Sequence, residues 1–570
     1  MQTRTGADNA STAAQNVPAA LLAIAILSVV LGVAFRFYHL DRKVYWFDEV
    51  GSSLRMFGDT EAELVNRAGT LTDSHTLWAI LHPTPPSGSS DPFAPARVLA
   101  LEEPHETPIY FEIAHFWVGI FGNSIAATRS LSAWLSLLAL PCAFWLGNEL
   151  FRSRRAAWTA VALLALSPVA VIFAQQARGY ALWTVTLLAL QAALLRALRL
   201  DAFGAWALFA TLVAFGLYVH LLTALPLGGL ALYVLLTRWR DRGKLLRFAL
   251  AFAIGCVALI PWLIFLLRDL PAVTDSLATT FHASTTRTEV LRAFLGALRL
   301  DFLDLNWVTS SRASSAATAT ASLLIAIAVV NVIRRQPPRT RLFIVVMLLA
   351  TTLPLLIPDL IGQGQRVRQQ RYLVPAFIVV DFCVVGWLSF LLDSTTAVRA
   401  AWGYVLLTGV LVAGTVSCAV SSGAETWWST QEDNSISVAR AVNRSRRPLL
   451  VSDVYLGYLL VLSNYLDSDV QTVLSPKCYS CRNAVAPTLD ATVLARRSFT
   501  TLYAVGPSPT LRRFLAEFVA EHPGVALTCI NVRKNCSSDL NIEPIFSSPV
   551  RLPMLSGSGR AGNGTGLIHR

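Results

Sequence analysis

The sequence predicts an all-α polytopic membrane domain of about eleven transmembrane helices followed by a C-terminal extracytoplasmic α/β domain. Three observations lead there. Of 570 residues, 54% are hydrophobic and 14% charged, and mean hydropathy is +0.52, a balance too apolar for a soluble globular protein. Apolar runs long enough to cross a hydrocarbon core of roughly 30 Å recur through most of the chain. Beyond about residue 421 they give way to short β-branched stretches alternating with amphipathic ones. The net charge of +12 does not mark a nucleic-acid binder, because Lys and Arg sit in short clusters between apolar runs rather than along one polar face.

The runs lie at 18–38, 127–151, 156–177, 179–198, 202–220, 221–239, 245–267, 313–333, 341–361, 371–392 and 401–420. The first lacks a small-residue cleavage site followed by a soluble body, so it reads as a retained span with residues 1–17 in the cytoplasm. With the N-terminus inside, "RSRR" (152–155), Arg196 with Arg199, "RWRDRGK" (238–244), "RRQPPRTR" (334–341) and Arg399 all face the cytoplasm, as the positive-inside trend requires. "QRVRQQRY" (365–372) is the exception and falls outside. "IYFEIAHFWVGIFG" (109–122) is too short to span, carries Glu112 and His115, and is expected as an interfacial helix.

Two hydrophilic pieces are thereby placed outside: the loop 39–126 and a domain over 421–555, with a Gly- and Ser-rich disordered tail at 556–570. "PLLVSD", "VQTVLS", "TTLYAVG" and "ALTCINV" are its expected strands, and "PTLRRFLAEFVAEHPG" an expected helix. Cys142, Cys256, Cys383 and Cys418 fall in apolar runs and behave as small hydrophobes. Cys478, Cys481, Cys529 and Cys536 lie in the tail, as expected of disulfides in an oxidising compartment. Four cysteines allow three connectivities; proximity in sequence favours Cys478 with Cys481 and Cys529 with Cys536, against a zinc site whose second pair would have the wrong spacing.

In "VYWFDEVGSSLR" (44–55), Asp48 and Glu49 follow the first span among aromatic residues that prefer the membrane interface. A partly desolvated carboxylate there is a candidate general base. That stretch, "HETPIYF" (105–111), "ATRSLSAWLSLLALPCAFWLGNELF" (127–151), "SPVAVIFAQQARGYAL" (167–182) and "RYLVPA" (371–376), in this order, resemble the GT-C glycosyltransferases. The nearest likeness is to bacterial relatives of protein O-mannosyltransferases and of the lipid A aminoarabinose transferase. The resemblance covers roughly residues 20–390.

It implies a bacterial inner or plasma membrane enzyme that moves a sugar from a polyprenyl-phosphate donor to an acceptor at the outer face. The acceptor is left open among protein, lipid and polysaccharide, and nucleic acid is not expected. Asp48 is the expected base, with Glu49 beside it and Glu106 as its partner or a sugar-binding group. Arg178, Arg366, Arg368 and Arg371 are the expected phosphate-binding cations, and His105, Tyr110 and His220 the expected substrate contacts. At Thr107 the family often has a basic residue or His, so no phosphate-binding role is carried to this position. A divalent metal is neither required nor ruled out by the spacing of outer His, Asp and Glu residues. The alternative, a transporter or lipid flippase, would place charge within the spans, whereas here Asp381 is the main such residue. Asp301 and Asp304 read as loop carboxylates that could hold an acceptor or metal.

Overall fold

Each of the predicted apolar runs forms a helix or a bent pair of helices in the computed structural model, which describes residues 17–68, 73–82, 91–271, 273–274, 286–305, 311–362, 364–427, 435–479, 494, 499–522 and 526–530. Among the described residues eight candidate spans are long and apolar enough to cross a membrane: Ala19–Phe37, Ile125–Phe151, Tyr180–Leu200, Leu221–Arg238, Arg312–Arg335, Pro338–Gly362, Gln370–Leu392 and Ala397–Ser422. Two more are bent, Arg154–Leu166 with Pro168–Ala174 at 60° and Arg242–Val257 with Ile260–Arg268 at 49°. Phe203–Val219, over the run expected at 202–220, is an apolar helix of 17 residues, shorter than these. The chain is an integral membrane protein.

The apolar run expected over 156–177 forms the pair bent by 60°. Pro168 has no N–H, and its ring clashes with the carbonyl four residues earlier. The freed carbonyls of Leu164 and Ala165 are taken by Arg36, 1% exposed, at 3.1 and 2.6 Å. Arg36 also bonds Gly32 O of its own helix at 2.9 Å. Gly32 is what lets this helix approach, since a Cβ there would lie 2.2 Å from Ala165 O.

The ends of the bundle differ in chemistry. At one end Arg199 pairs with Glu149 at 2.5 Å, Arg155 with Asp393 at 2.9 Å, and Arg247 with Asp201. These contacts gather the basic connections expected in the cytoplasm. The first loop and the C-terminal domain meet at the other end. Tyr45 N donates to Tyr465 Oη at 2.7 Å, Ser74 N to Val470 O at 2.9 Å, and Tyr479 N to Glu61 Oε1 at 2.9 Å. The Phe47 and Tyr458 rings lie 4.7 Å apart. At Gly457 a Cβ would come within 2.5 Å of the Phe47 ring. Loop and tail therefore share one side of the bundle.

In the tail, β1 (Pro448–Ser452), β2 (Gln471–Leu474), β3 (Thr501–Val505) and β4 (Ala526–Ile530) form a parallel sheet in the order β2-β1-β3-β4. Leu449 sits opposite Gln471 and Leu502, and Leu502 opposite Leu527. The near-continuous apolar strands suit a sheet covered on both faces. Leu511, Leu515 and Phe518 of helix Pro509–Glu521 pack against Leu449, Val451 and Leu502. Each strand coincides with one of the stretches expected from the sequence. Helix Ile109–Phe121 has 13 residues, about 20 Å at 1.5 Å per residue, and is too short to span. Cys142, Cys256, Cys383 and Cys418 are free thiols and Cys478 is disulfide-bonded. Cys481, Cys536, the Cys529 side chain, residues 1–16 and the tail 556–570 lie outside the described residues.

Candidate active site

Helix Phe47–Phe57 begins where the loop leaves the first span, with Asp48 and Glu49 in its first turn. Consecutive helical side chains diverge by roughly 100°, and here the two carboxylates part completely. Glu49 is 0% exposed. Its Oε1 accepts from Arg129 Nε at 2.7 Å and Ala177 N at 2.8 Å, and its Oε2 from Arg129 Nη2 at 2.6 Å. Arg129 donates further to the carbonyls of Leu40, Lys43 and Val44 at 2.6, 2.9 and 2.8 Å. This buried pair ties together the end of the first span, the start of helix Phe47–Phe57 and the turn at 176–178. Glu49 is thus engaged away from the side that Asp48 faces.

Asp48 Oδ2 pairs with Arg371 Nη1 at 2.5 Å, with side chains 18% and 23% exposed. Arg371 arrives on the short 3₁₀ turn Gln370–Leu373 at the head of helix Val374–Leu392. Arg178 lies in the break between helices Pro168–Ala174 and Tyr180–Leu200. It pairs with Glu106 Oε1 at 2.7 Å, donates to Ser52 Oγ at 3.2 Å and reaches Asp48 O and Tyr180 Oη, each at 3.4 Å. Two carboxylate–arginine pairs are therefore interlocked where four segments of the chain meet. Burial would raise the Glu106 carboxyl, but Arg178, with His105 and His220 nearby, outweighs it and holds the pKa at about 2.

His220, at the turn between two apolar helices, stacks on Trp183 with ring centroids 4.0 Å apart, and its Nδ1 accepts from Leu222 N at 3.2 Å. Burial, only partly opposed by Glu106, lowers its pKa to about 4. His105 Nδ1 is buried without a hydrogen-bond partner among the described residues. Tyr110 is 1% exposed and shares a 3.1 Å hydrogen bond with Ser132. Ser132 in turn donates to Arg178 O at 3.2 Å, so Tyr110 supports the Arg178 turn from beneath. Arg366 bonds the buried Asp359 at 2.7 Å, which also accepts from Val367 N at 2.9 Å, an arrangement that fixes the loop carrying Arg371. Arg368 is exposed.

The structure thus brings Asp48, Glu106, Arg178 and Arg371 together, with His105 and His220 at the border. It engages Glu49, Tyr110 and Arg366 in supporting contacts. Asp301 and Asp304 are buried rather than displayed in a loop, and Ser167 Oγ donates to Asp301 at 2.6 Å. Sequence reasoning missed Arg129, although an arginine inside an apolar run is itself a signal of a buried partner. It also missed Ser52 and Tyr180 as contacts of Arg178. Among the described residues no group of three or more His, Cys, Asp or Glu is placed to hold a metal ion.

No family model and no curated protein matches the chain. Among solved structures it is similar to ArnT from Cupriavidus metallidurans in the apo state, at 15% identity over 88% of each chain and TM-score 0.47. It is similar also to ArnT from the same organism bound to undecaprenyl phosphate, at 13% identity over 88% of this chain and 89% of that one, TM-score 0.46. A third is the Archaeoglobus fulgidus oligosaccharyltransferase complex with Zn and sulfate, at 10% identity over 79% of this chain and 62% of that one, TM-score 0.45.

Proposed function

We propose that the chain is a membrane glycosyltransferase that moves a sugar from a polyprenyl-phosphate donor to an acceptor at the extracytoplasmic face. The observation that carries this reading is the interlocked pair Asp48–Arg371 and Arg178–Glu106 at the mouth of the bundle. Substitution at an anomeric carbon needs a base for the incoming hydroxyl and positive charge for the departing phosphate. A lipid phosphate stays at the depth where the spans end, which is the depth of these arginines.

Asp48 takes the proton as the acceptor oxygen bonds to the anomeric carbon, and the bond from that carbon to the phosphate oxygen breaks. Arg371 and Arg178 balance the charge left on the polyprenyl phosphate. Arg371 is held by Asp48 at 2.5 Å. A phosphate offers the guanidinium stronger charge-assisted bonds, and drawing Arg371 toward it frees the carboxylate for its role as base. Glu106, ionised at neutral pH, positions Arg178. Glu49 acts through Arg129 as a positioning residue.

Placement outside the cytoplasm is favoured by the basic connections at the opposite end, and accessibility labelling of single cysteines introduced in 39–126 and 435–479 reads it directly. The activity test incubates purified protein with radiolabelled polyprenyl-phosphate sugars and candidate acceptors, with Asp48→Asn as control. Transfer lost in the control supports the reading. A wild-type protein that neither binds polyprenyl phosphate nor transfers from any donor refutes it.

A further inference from the structure

Two basic connections at the end of the bundle away from the candidate site are neighbours in space. Helices Leu221–Arg238 and Pro338–Gly362 run antiparallel: a Cβ at Gly229 would meet Ala350 and Met347 at 2.9 and 3.0 Å, and one turn further the Tyr233 and Phe343 rings lie 5.2 Å apart. The next turn, at 1.5 Å per residue, brings Arg238 beside Arg339, and both charges act on the Tyr233 hydroxyl. "RWRDRGK" (238–244) holds one carboxylate, Asp241, which caps the following helix by accepting from Lys244 N at 3.1 Å. "RRQPPRTR" (334–341) holds none.

Elsewhere at this end arginines find carboxylates: Arg155 pairs with Asp393, Arg199 with Glu149 and Arg247 with Asp201. Arg335 and Arg341 turn aside, the first over the Phe390 ring at 5.7 Å and the second to Ile333 O at 3.2 Å. Arg238, Arg240 and Arg339 form no ion pair among the described residues, and Arg238 Nε is buried without a hydrogen-bond partner among them. The positive-inside trend calls for basic residues at one end of a bundle, but not for like charges on adjoining helices, which repel unless an anion lies between them. The seam also continues into the apolar layer through the exposed Leu232, Leu235 and Leu236. Trp239, 62% exposed, lies under the Arg240 guanidinium at 4.6 Å, where an interfacial aromatic belongs. A free phosphate would use the arginines and leave this strip uncovered. A phospholipid uses both, its phosphate bonded by guanidinium groups and its acyl chains laid along the leucines. We infer that the seam between these two helices is a binding site for one anionic phospholipid, held by Arg238, Arg240 and Arg339 independently of the reaction at the opposite end.

The test titrates the purified full chain in neutral detergent with phosphatidylglycerol, phosphatidylcholine and glycerol phosphate, and counts bound molecules by native mass spectrometry. Wild type is expected to hold one phosphatidylglycerol at least about tenfold more tightly than either of the others. Each arginine beside an anionic lipid contributes about fivefold in affinity, so replacing Arg238, Arg240 and Arg339 together by Gln is expected to weaken phosphatidylglycerol on the order of 100-fold. A control that replaces Arg154, Arg196 and Arg399 by Gln removes the same charge from other connections and is expected to stay within about threefold of wild type. Without lipid the first triple variant is expected to melt at or above the wild-type temperature, since it relieves repulsion between like charges. Equal losses in both triple variants assign the binding to diffuse surface charge and overturn the site. Equal affinity for phosphatidylcholine overturns it too, and glycerol phosphate bound as tightly as the lipid makes it a free-phosphate site instead. Should the triple variant not fold, Arg240→Gln alone is expected to bind phosphatidylglycerol about fivefold more weakly, and unchanged binding there overturns the inference.

Discussion

Replacing Glu49 by Gln keeps the side-chain volume but sets an amide against the Arg129 guanidinium, where a carboxylate now accepts bonds at 2.6 and 2.7 Å. Both side chains are at most 1% exposed, so water cannot restore the lost charge. Removing one partner of such a pair costs about 3–5 kcal/mol, a large part of a typical net stability of roughly 5–15 kcal/mol. Asp48→Asn presents the opposite case. Its pair with Arg371 is partly exposed, and such pairs contribute about 1 kcal/mol or less. Loss of a general base costs at least about 10²-fold in turnover, about 2.7 kcal/mol of transition-state stabilisation. Thermal unfolding in detergent, with turnover per folded molecule measured on the same samples, separates the two. Glu49→Gln is expected to melt far below wild type with milder loss of turnover per folded molecule, and Asp48→Asn to melt near wild type with turnover down at least about 100-fold. A Glu49→Gln protein as stable as wild type yet inactive, beside an active Asp48→Asn, would reverse the two roles and refute the reasoning.

Arg371→Ala is expected to weaken polyprenyl-phosphate binding by about 1.5–3 kcal/mol with little effect on folding. Arg366→Ala instead strands Asp359, which is 0% exposed, and is expected to lower the melting temperature as well as donor affinity; calorimetry with a lipid-binding titration distinguishes them. His220 has a folded pKa of about 4, below its usual 6.5, so between these values the folded state binds fewer protons than the unfolded one. Stability is accordingly expected to fall as pH drops from 6.5 to 4, and His220→Phe to flatten that slope in melts recorded across the window. Mass spectrometry of non-reduced peptides is expected to recover Cys478 linked to Cys481 and Cys529 linked to Cys536; a Cys478 link to either distant cysteine would overturn this pairing.

What the sequence by itself determined was whatever rests on local pattern. Apolar length marks a helix in a bilayer regardless of its neighbours, because every backbone group must be paired within the segment. Short β-branched runs between turns located the four parallel strands for the same kind of reason. The motif order also put forward Asp48, Glu106, Arg178 and Arg371, but together with Glu49, Arg366, Arg368, His105, Tyr110 and His220 and without deciding which of them meet. Tertiary structure alone decided which of two adjacent carboxylates faces the site, since that depends on Arg129, 80 residues further along the chain from Glu49. It decided likewise that Arg36 fills the carbonyls freed at Pro168 across separations of 128 and 129 residues. Charge pairing and hydrogen bonding act over a few ångströms of space, whatever the distance along the chain, so partners brought together by packing leave no periodic trace in the sequence.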